Sequence, residues 1–129
     1  MVLSILYPDL QYNVIAYDQD HIHPSNNFRA RELRSMGISE EEIVEWSILK
    51  DQIPNLQMMD ARSNKVKNKT PFKDWIVDKK LVWSSEQEED YFKKNYIPEE
   101  IEYEFKNFIE FFKMRKKKIK KQLISTLLD

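Results

Sequence analysis

The chain has 129 residues, of which 41% are apolar and 12% aromatic, so it holds about one domain's worth of sequence and enough apolar mass for a single hydrophobic core. One glycine, Gly37, and no cysteine argue against a glycine-rich phosphate loop, and exclude disulfides, thiolate zinc sites and cysteine nucleophiles; this composition suits a reducing, cytoplasmic interior. No apolar run reaches the ~18 residues of a membrane span, and no basic-then-apolar leader opens the sequence, so neither a membrane partner nor a signal peptide is expected.

In chain order, Val14-Ile15-Ala16-Tyr17 is β-branched and aromatic and runs into Asp18-Gln19-Asp20-His21-Ile22, which predicts a strand that Pro24 stops. Ser25 or Asn26 can cap a helix through Phe28–Leu33 that ends at Gly37. Ser39 and Glu42 have capping-box spacing, and Ile43, Trp46 and Ile48/Leu49 give a short amphipathic helix. A second strand is predicted over Asn55–Met59, after Pro54, followed by a short polar helix over Ala61–Asn68, with Asp60 read as its N-cap in preference to a residue that reaches the site. Thr70-Pro71 starts a further helix with Phe72, Trp75 and Ile76 on one face, and Ser85 with Glu88 marks another before Tyr91 and Phe92. Pro98 opens the last helix, on which Ile101, Phe105, Phe108, Phe112, Ile119, Leu123 and Leu127 recur at steps of three, four or seven, and which could run ~30 residues. The fold class expected is α+β, mostly helical, with two short strands inside a helical shell and a long C-terminal helix. Trp46, Trp75 and Trp83 read as core, as does at least one of Met58 and Met59.

The net charge of −1 conceals segregation. Between Ala61 and Lys80 lie Arg62, Lys65, Lys67, Lys69, Lys73, Lys79 and Lys80 against only Asp74 and Asp78; between Lys113 and Lys121 seven of nine residues are basic. A near-neutral total with two basic blocks fits a protein that meets a polyanion on one face, although lysine-rich helix faces are also ordinary solvated surface.

The chemistry concentrates at Asp20-His21-Ile22-His23-Pro24, which holds both histidines of the chain, with Asn55-Leu56-Gln57 on the second strand and Asn64-Lys65-x-Lys67 beyond it. A strand, a return strand and a helix would gather Asp20, His21, Asn55 and Asn64 at one end. Such a set suits phosphodiester hydrolysis. A neutral imidazole, with an ordinary pKa near ~6.5, can take a proton from water, and Asp and Asn oxygens are hard donors suited to Mg²⁺ or Mn²⁺.

Together these residues resemble the motif of HNH, or ββα-metal, endonucleases: Asp-His-Ile-x-Pro at Asp20–Pro24, Asn-Leu-Gln at Asn55–Gln57, and an Asn-x-x-Lys position at Asn64 and Lys67. With the helical insert between the strands, a Pro-x-x-Trp element and the C-terminal Phe-x-x-Phe helix, nearly the whole chain is similar to the C-terminal HNH domain of GmrSD-type modification-dependent restriction proteins. The resemblance implies a single HNH domain over residues 1–129, with a motif core at 14–69 and a C-terminal helical part at 70–129. It implies a DNA endonuclease of bacterial restriction or defence, acting on DNA, base-modified or not. His21 would be the general base, Asn55 the residue that fixes the loop and orients His21, and Asp20 and Asn64 the ligands of one divalent ion, Mg²⁺ or Mn²⁺. Arg62, Lys65, Lys67 and Lys69 would bind DNA, with Lys67 on phosphate. It further implies that the chain is a C-terminal fragment whose N-terminal NTP-hydrolysing domain lies elsewhere, or a reduced stand-alone member.

His23, where the family has an apolar or aromatic residue, reads as an extra phosphate contact or as simply exposed. Two readings from other classes compete with the nuclease: a nucleic-acid-binding module that has lost catalysis, and a helical protein-interaction domain whose last helix pairs with a partner.

Overall fold

The computed structural model describes residues 5–10 and 15–128. Val14, the start of the first expected strand, lies outside the described residues; the strand observed, β1, is Tyr17–His21. It pairs antiparallel with β2, Leu56–Asp60, in a register that sets Asp20 opposite Gln57 and His21 opposite Leu56. Between the strands runs an insert of a single 3-10 turn, Ser25–Phe28, and helices α1 (Ala30–Ser35) and α2 (Glu40–Leu49). The expected helix from Ser25 or Asn26 is thus broken. Arg29 is extended at φ −61°, ψ 140°, and neither serine nor asparagine caps α1. Gly37 follows α1 at φ +82°, a left-handed conformation that glycine adopts without a Cβ penalty. Ser39 does cap α2, its Oγ accepting from the Glu42 N–H.

A short 3-10 turn, Ile53–Asn55, leads into β2, one residue later than the sequence suggests. Helix α3, Ala61–Lys67, follows β2 without a loop, because Asp60 ends the strand and also caps the helix, accepting from the Ser63 N–H at 2.8 Å. Helices α4 (Phe72–Val82) and α5 (Ser85–Lys94) come next, with Pro71 at the N-cap of α4 and a reciprocal capping box between Ser84 and Gln87 on α5.

The last helix, α6, is Phe108–Leu128, 21 residues long, and Pro98 does not open it. Residues 98–104 are irregular and lead into a 3-10 turn at Phe105–Asn107. The apolar spacing is real, but its members serve different cores. Ile101 and Tyr103 pack with Ile22, Phe72, Trp75, Phe92 and Phe111, whereas Phe105 packs with Phe28, Leu33, Trp46 and Phe108. A chain crossing from one cluster to the other is extended rather than helical. A third cluster joins Leu6, Tyr7, Leu56 and Ile119. Helix α6 contributes to all three, and with ~1.5–3 kcal/mol for each large side chain buried it is the spine of the molecule. The buried stripe stops at Ile119; Leu127 and Leu128 are exposed. Trp46 and Trp75 are core residues, Trp83 is partly buried, and Met59 is buried. No helix among the described residues is long and apolar enough to cross a membrane.

Candidate functional site

The end of β1, the turn after it, Lys50 after α2, and the middle and C-terminal end of α3 surround an open cleft of about 520 Å³, lined by Asp20, His21, Arg29, Lys50, Asn64 and Lys69 among others. Asp20 and His21 are neighbours on a strand and would ordinarily face opposite ways. His21 is the last strand residue, and both border the cleft. The sequence-expected set therefore divides into residues that line the opening and residues that hold it up.

Asn55 belongs to the second kind. It is fully buried. Its Oδ1 accepts from the His23 N–H at 2.9 Å, and its Nδ2 donates to the carbonyls of His23 (3.2 Å) and Lys50 (2.9 Å). One amide thus ties the loop after β1 to the turn after α2.

Asp20 is 5% exposed, and its Oδ2 carries two contacts: it accepts from Gln57 Nε2 at 2.8 Å, directly across the sheet, and lies 3.0 Å from the Lys67 ammonium. Gln57 in turn accepts from the Tyr91 hydroxyl at 2.7 Å, and burial pushes that phenol far above its usual range. Asn64 donates its Nδ2 to Asp18 Oδ2 at 3.2 Å, which turns the amide oxygen free. Asp18, two residues before Asp20 on β1, is a site residue that the motif does not mark; the period-two alternation of a strand was the available signal.

His21 places its Nε2 2.8 Å from Asp51 Oδ1. Asp51 is largely exposed, with Lys50 Nζ 2.7 Å from its other oxygen. These bonds from Lys50 first and His21 second hold its carboxyl below the ordinary carboxylate range.

Two expectations fail. Lys67 reaches no solvent. Its Nζ donates to the His21 and Ile22 carbonyls at 2.9 and 3.0 Å as well as facing Asp20, so its three protons are spent inside the protein and none is free for a phosphate. Burial lowers its pKa and the Asp20 charge opposes that. His23 is likewise fully buried, neither exposed nor within reach of a phosphate, packed among Phe72, Phe105, Phe108 and Phe111 with ring centroids 4.9–5.8 Å away. Neither ring nitrogen has a hydrogen-bond partner. Burial first, and the Lys67 charge second, push its pKa down to about 3, so it is a neutral core residue. Arg62 and Lys65 are exposed on α3 but do not border the cleft; Lys69 does, joined by Arg29 and Lys50 from the insert.

No protein-family model matches the chain, and no curated protein matches it. Among the described residues no three of His, Cys, Asp and Glu cluster as a metal cage. The donors at hand are instead an Asp20 oxygen and the free Asn64 oxygen, two hard ligands of the kind that hold Mg²⁺ together with water and substrate phosphate. That donor set fits a weakly held divalent ion, and the Lys67 charge beside Asp20 weakens it further.

Proposed function

We propose that this protein is a metal-dependent DNA endonuclease of the HNH type. The observation that supports the reading is the shared cleft: a histidine base, an aspartate oxygen and an amide oxygen border one opening whose cationic edge is Arg29, Lys50 and Lys69. A groove of that charge holds a phosphodiester backbone with little sequence discrimination. In this reading Arg29 and Lys69 seat the backbone, and His21 takes the proton of the attacking water. Asp20 and Asn64 would hold Mg²⁺ or Mn²⁺, which supplies charge neutralisation at the phosphate and at the leaving oxygen. Asn55 keeps the loop that follows His21 in place. A role in restriction or defence, and any dependence on modified bases, follow from the resemblance to GmrSD-type proteins alone.

A second reading has one observation in its favour. Asp20 Oδ2 is already held by Gln57 and by the Lys67 ammonium, so the chain can be a nucleic-acid-binding module in which the metal ligand has become a structural ion pair. Incubation of supercoiled plasmid with the protein and Mg²⁺ or Mn²⁺ separates the two. Nicking that disappears in His21→Ala supports the endonuclease; gel retardation without nicking, at any concentration of either metal, overturns it in favour of the binding module.

A further inference from the structure

The contact between His21 and Asp51 lies outside the HNH pattern read from the sequence. We propose that Asp51 is the positioning residue for His21, holding the imidazole by its Nε2 so that Nδ1 is left as the nitrogen that works in the cleft. This inference rests on the endonuclease reading for the reaction, but not for the pairing itself.

The chemistry of the two groups fixes the assignment. An ionised carboxylate only accepts hydrogen bonds, so at 2.8 Å from Asp51 Oδ1 the hydrogen must sit on His21 Nε2. That leaves the Nδ1 lone pair as the base. The carboxylate is kept ionised by Lys50, 2.7 Å from Oδ2. The groups that face His21 from other elements are Lys67, whose ammonium binds its carbonyl, and the cleft cations Arg29 and Lys69. Asp51 is the carboxylate bound to the ring itself.

The backbone explains how a partly exposed aspartate comes to stand at a fixed height beside the ring. Asn55 bonds the main chain of His23, two residues after the histidine, and the carbonyl of Lys50, one residue before the aspartate. A single buried amide therefore registers both partners. The asparagine orients His21 through Asp51 rather than by touching the ring.

An exposed ion pair contributes little to folding, so a merely structural Asp51 would leave no mark on catalysis when removed. Loss of an anion beside a DNA-binding cleft would, if anything, tighten substrate binding. Positioning makes the opposite mark, a fall in kcat with KM unchanged or lower.

The test uses the full chain labelled with ¹⁵N-histidine, as wild type, Asp51→Ala and His21→Ala. In the wild type the proton on His21 Nε2, assigned by its loss in His21→Ala, should give a one-bond ¹H–¹⁵N correlation protected from exchange, and Asp51→Ala should lose it. In plasmid cleavage with Mn²⁺, Asp51→Ala should lower kcat roughly 10- to 10²-fold, part of the ~10²–10⁴ that a general base supplies, without raising KM. An unchanged Nε2 signal in Asp51→Ala, or a cleaving wild type whose kcat survives the substitution, would overturn the proposal. A wild type that shows the protected proton and cuts no DNA with either metal removes the endonuclease reading while the pairing stands.

Discussion

The Lys67 ammonium lies 3.0 Å from the Asp20 carboxylate, with the lysine side chain wholly buried and the aspartate nearly so. It is a sealed ion pair that includes the carboxylate proposed as a metal ligand, completed by Gln57 on the carboxylate and by two carbonyls on the ammonium. Breaking such a pair from one side leaves an uncompensated buried charge. Lys67→Met should therefore cost about 3–5 kcal/mol of stability, seen as a lower urea midpoint, and should leave the salt dependence of DNA binding unaltered in whatever protein stays folded. A stable variant with a shallower salt slope would return Lys67 to the DNA surface.

Acid should destabilise the protein through His23. Its folded pKa, about 3, lies below the ordinary value near ~6.5, so the unfolded chain binds the extra proton between those values and the folded chain does not. The contribution of the neutral ring is then fully present above pH ~6.5 and falls by about 1.4 kcal/mol per pH unit below it, on the order of 3 kcal/mol by pH 4. Urea unfolding of the wild type and of His23→Leu at pH 7 and pH 4 measures this. The variant should lose less stability on acidification, and equal losses in both would show that the ring is not held neutral.

Arg115 should matter to the fold where its lysine neighbours do not. It is fully buried in the middle of α6, its Nε donating to the Asn95 carbonyl at 3.0 Å and its Nη1 to the Ile53 carbonyl at 2.8 Å. Those bonds fasten the helix to the chain after α5 and to the turn before β2. Arg115→Ala removes them and opens a cavity, a loss of about 3–5 kcal/mol, whereas Lys116→Ala on the exposed face should change stability by less than ~0.5 kcal/mol. Thermal denaturation of the two variants side by side gives the comparison.

Local signals were legible in the sequence wherever a few neighbouring residues decide the outcome. Asp60 as a cap, Ser39 as a cap, β2 within one residue and the mostly helical, two-stranded class all rest on such short-range rules. What the sequence hid is which lysine, arginine or histidine goes inside. Arg115 stands among six lysines within Lys113–Lys121 and differs from them only by sharing a helical face with Phe108, Phe112 and Ile119. Charged and imidazole groups usually face outward, which by itself places Lys67 and His23 at the surface. Their burial follows from long-range partners, Asp20 for one and a cage of phenylalanines for the other, which no local window contains. The break of the last helix before Phe108 has the same origin, since a periodicity that resembles one helical face serves two clusters. The cleft cations Arg29 and Lys50 come from the insert, whose position over the strand end is a matter of tertiary folding.

The proposed DNA-facing surface can be tested by charge, and the burial of Lys67 changes which charges to remove. Each lysine or arginine that neutralises a phosphate releases about one counterion, so its loss should reduce the slope of log affinity against log salt by about one unit, equally for all sequences. Arg29 and Lys69 border the cleft that holds Asp20, His21 and Asn64, and a backbone whose scissile phosphate lies there must pass beside them. Lys116, Lys117 and Lys118 are exposed on a helix whose buried stripe forms the core, and none borders the cleft. The Arg29→Ala, Lys69→Ala double variant should therefore lower the salt slope by about two units, while neutralising the three α6 lysines should do less per charge. Affinity for one duplex measured across a range of salt concentrations decides between them. A larger loss per charge from the α6 variant would place the DNA along that helix and away from the His21 cleft, and the cleft would then need another substrate.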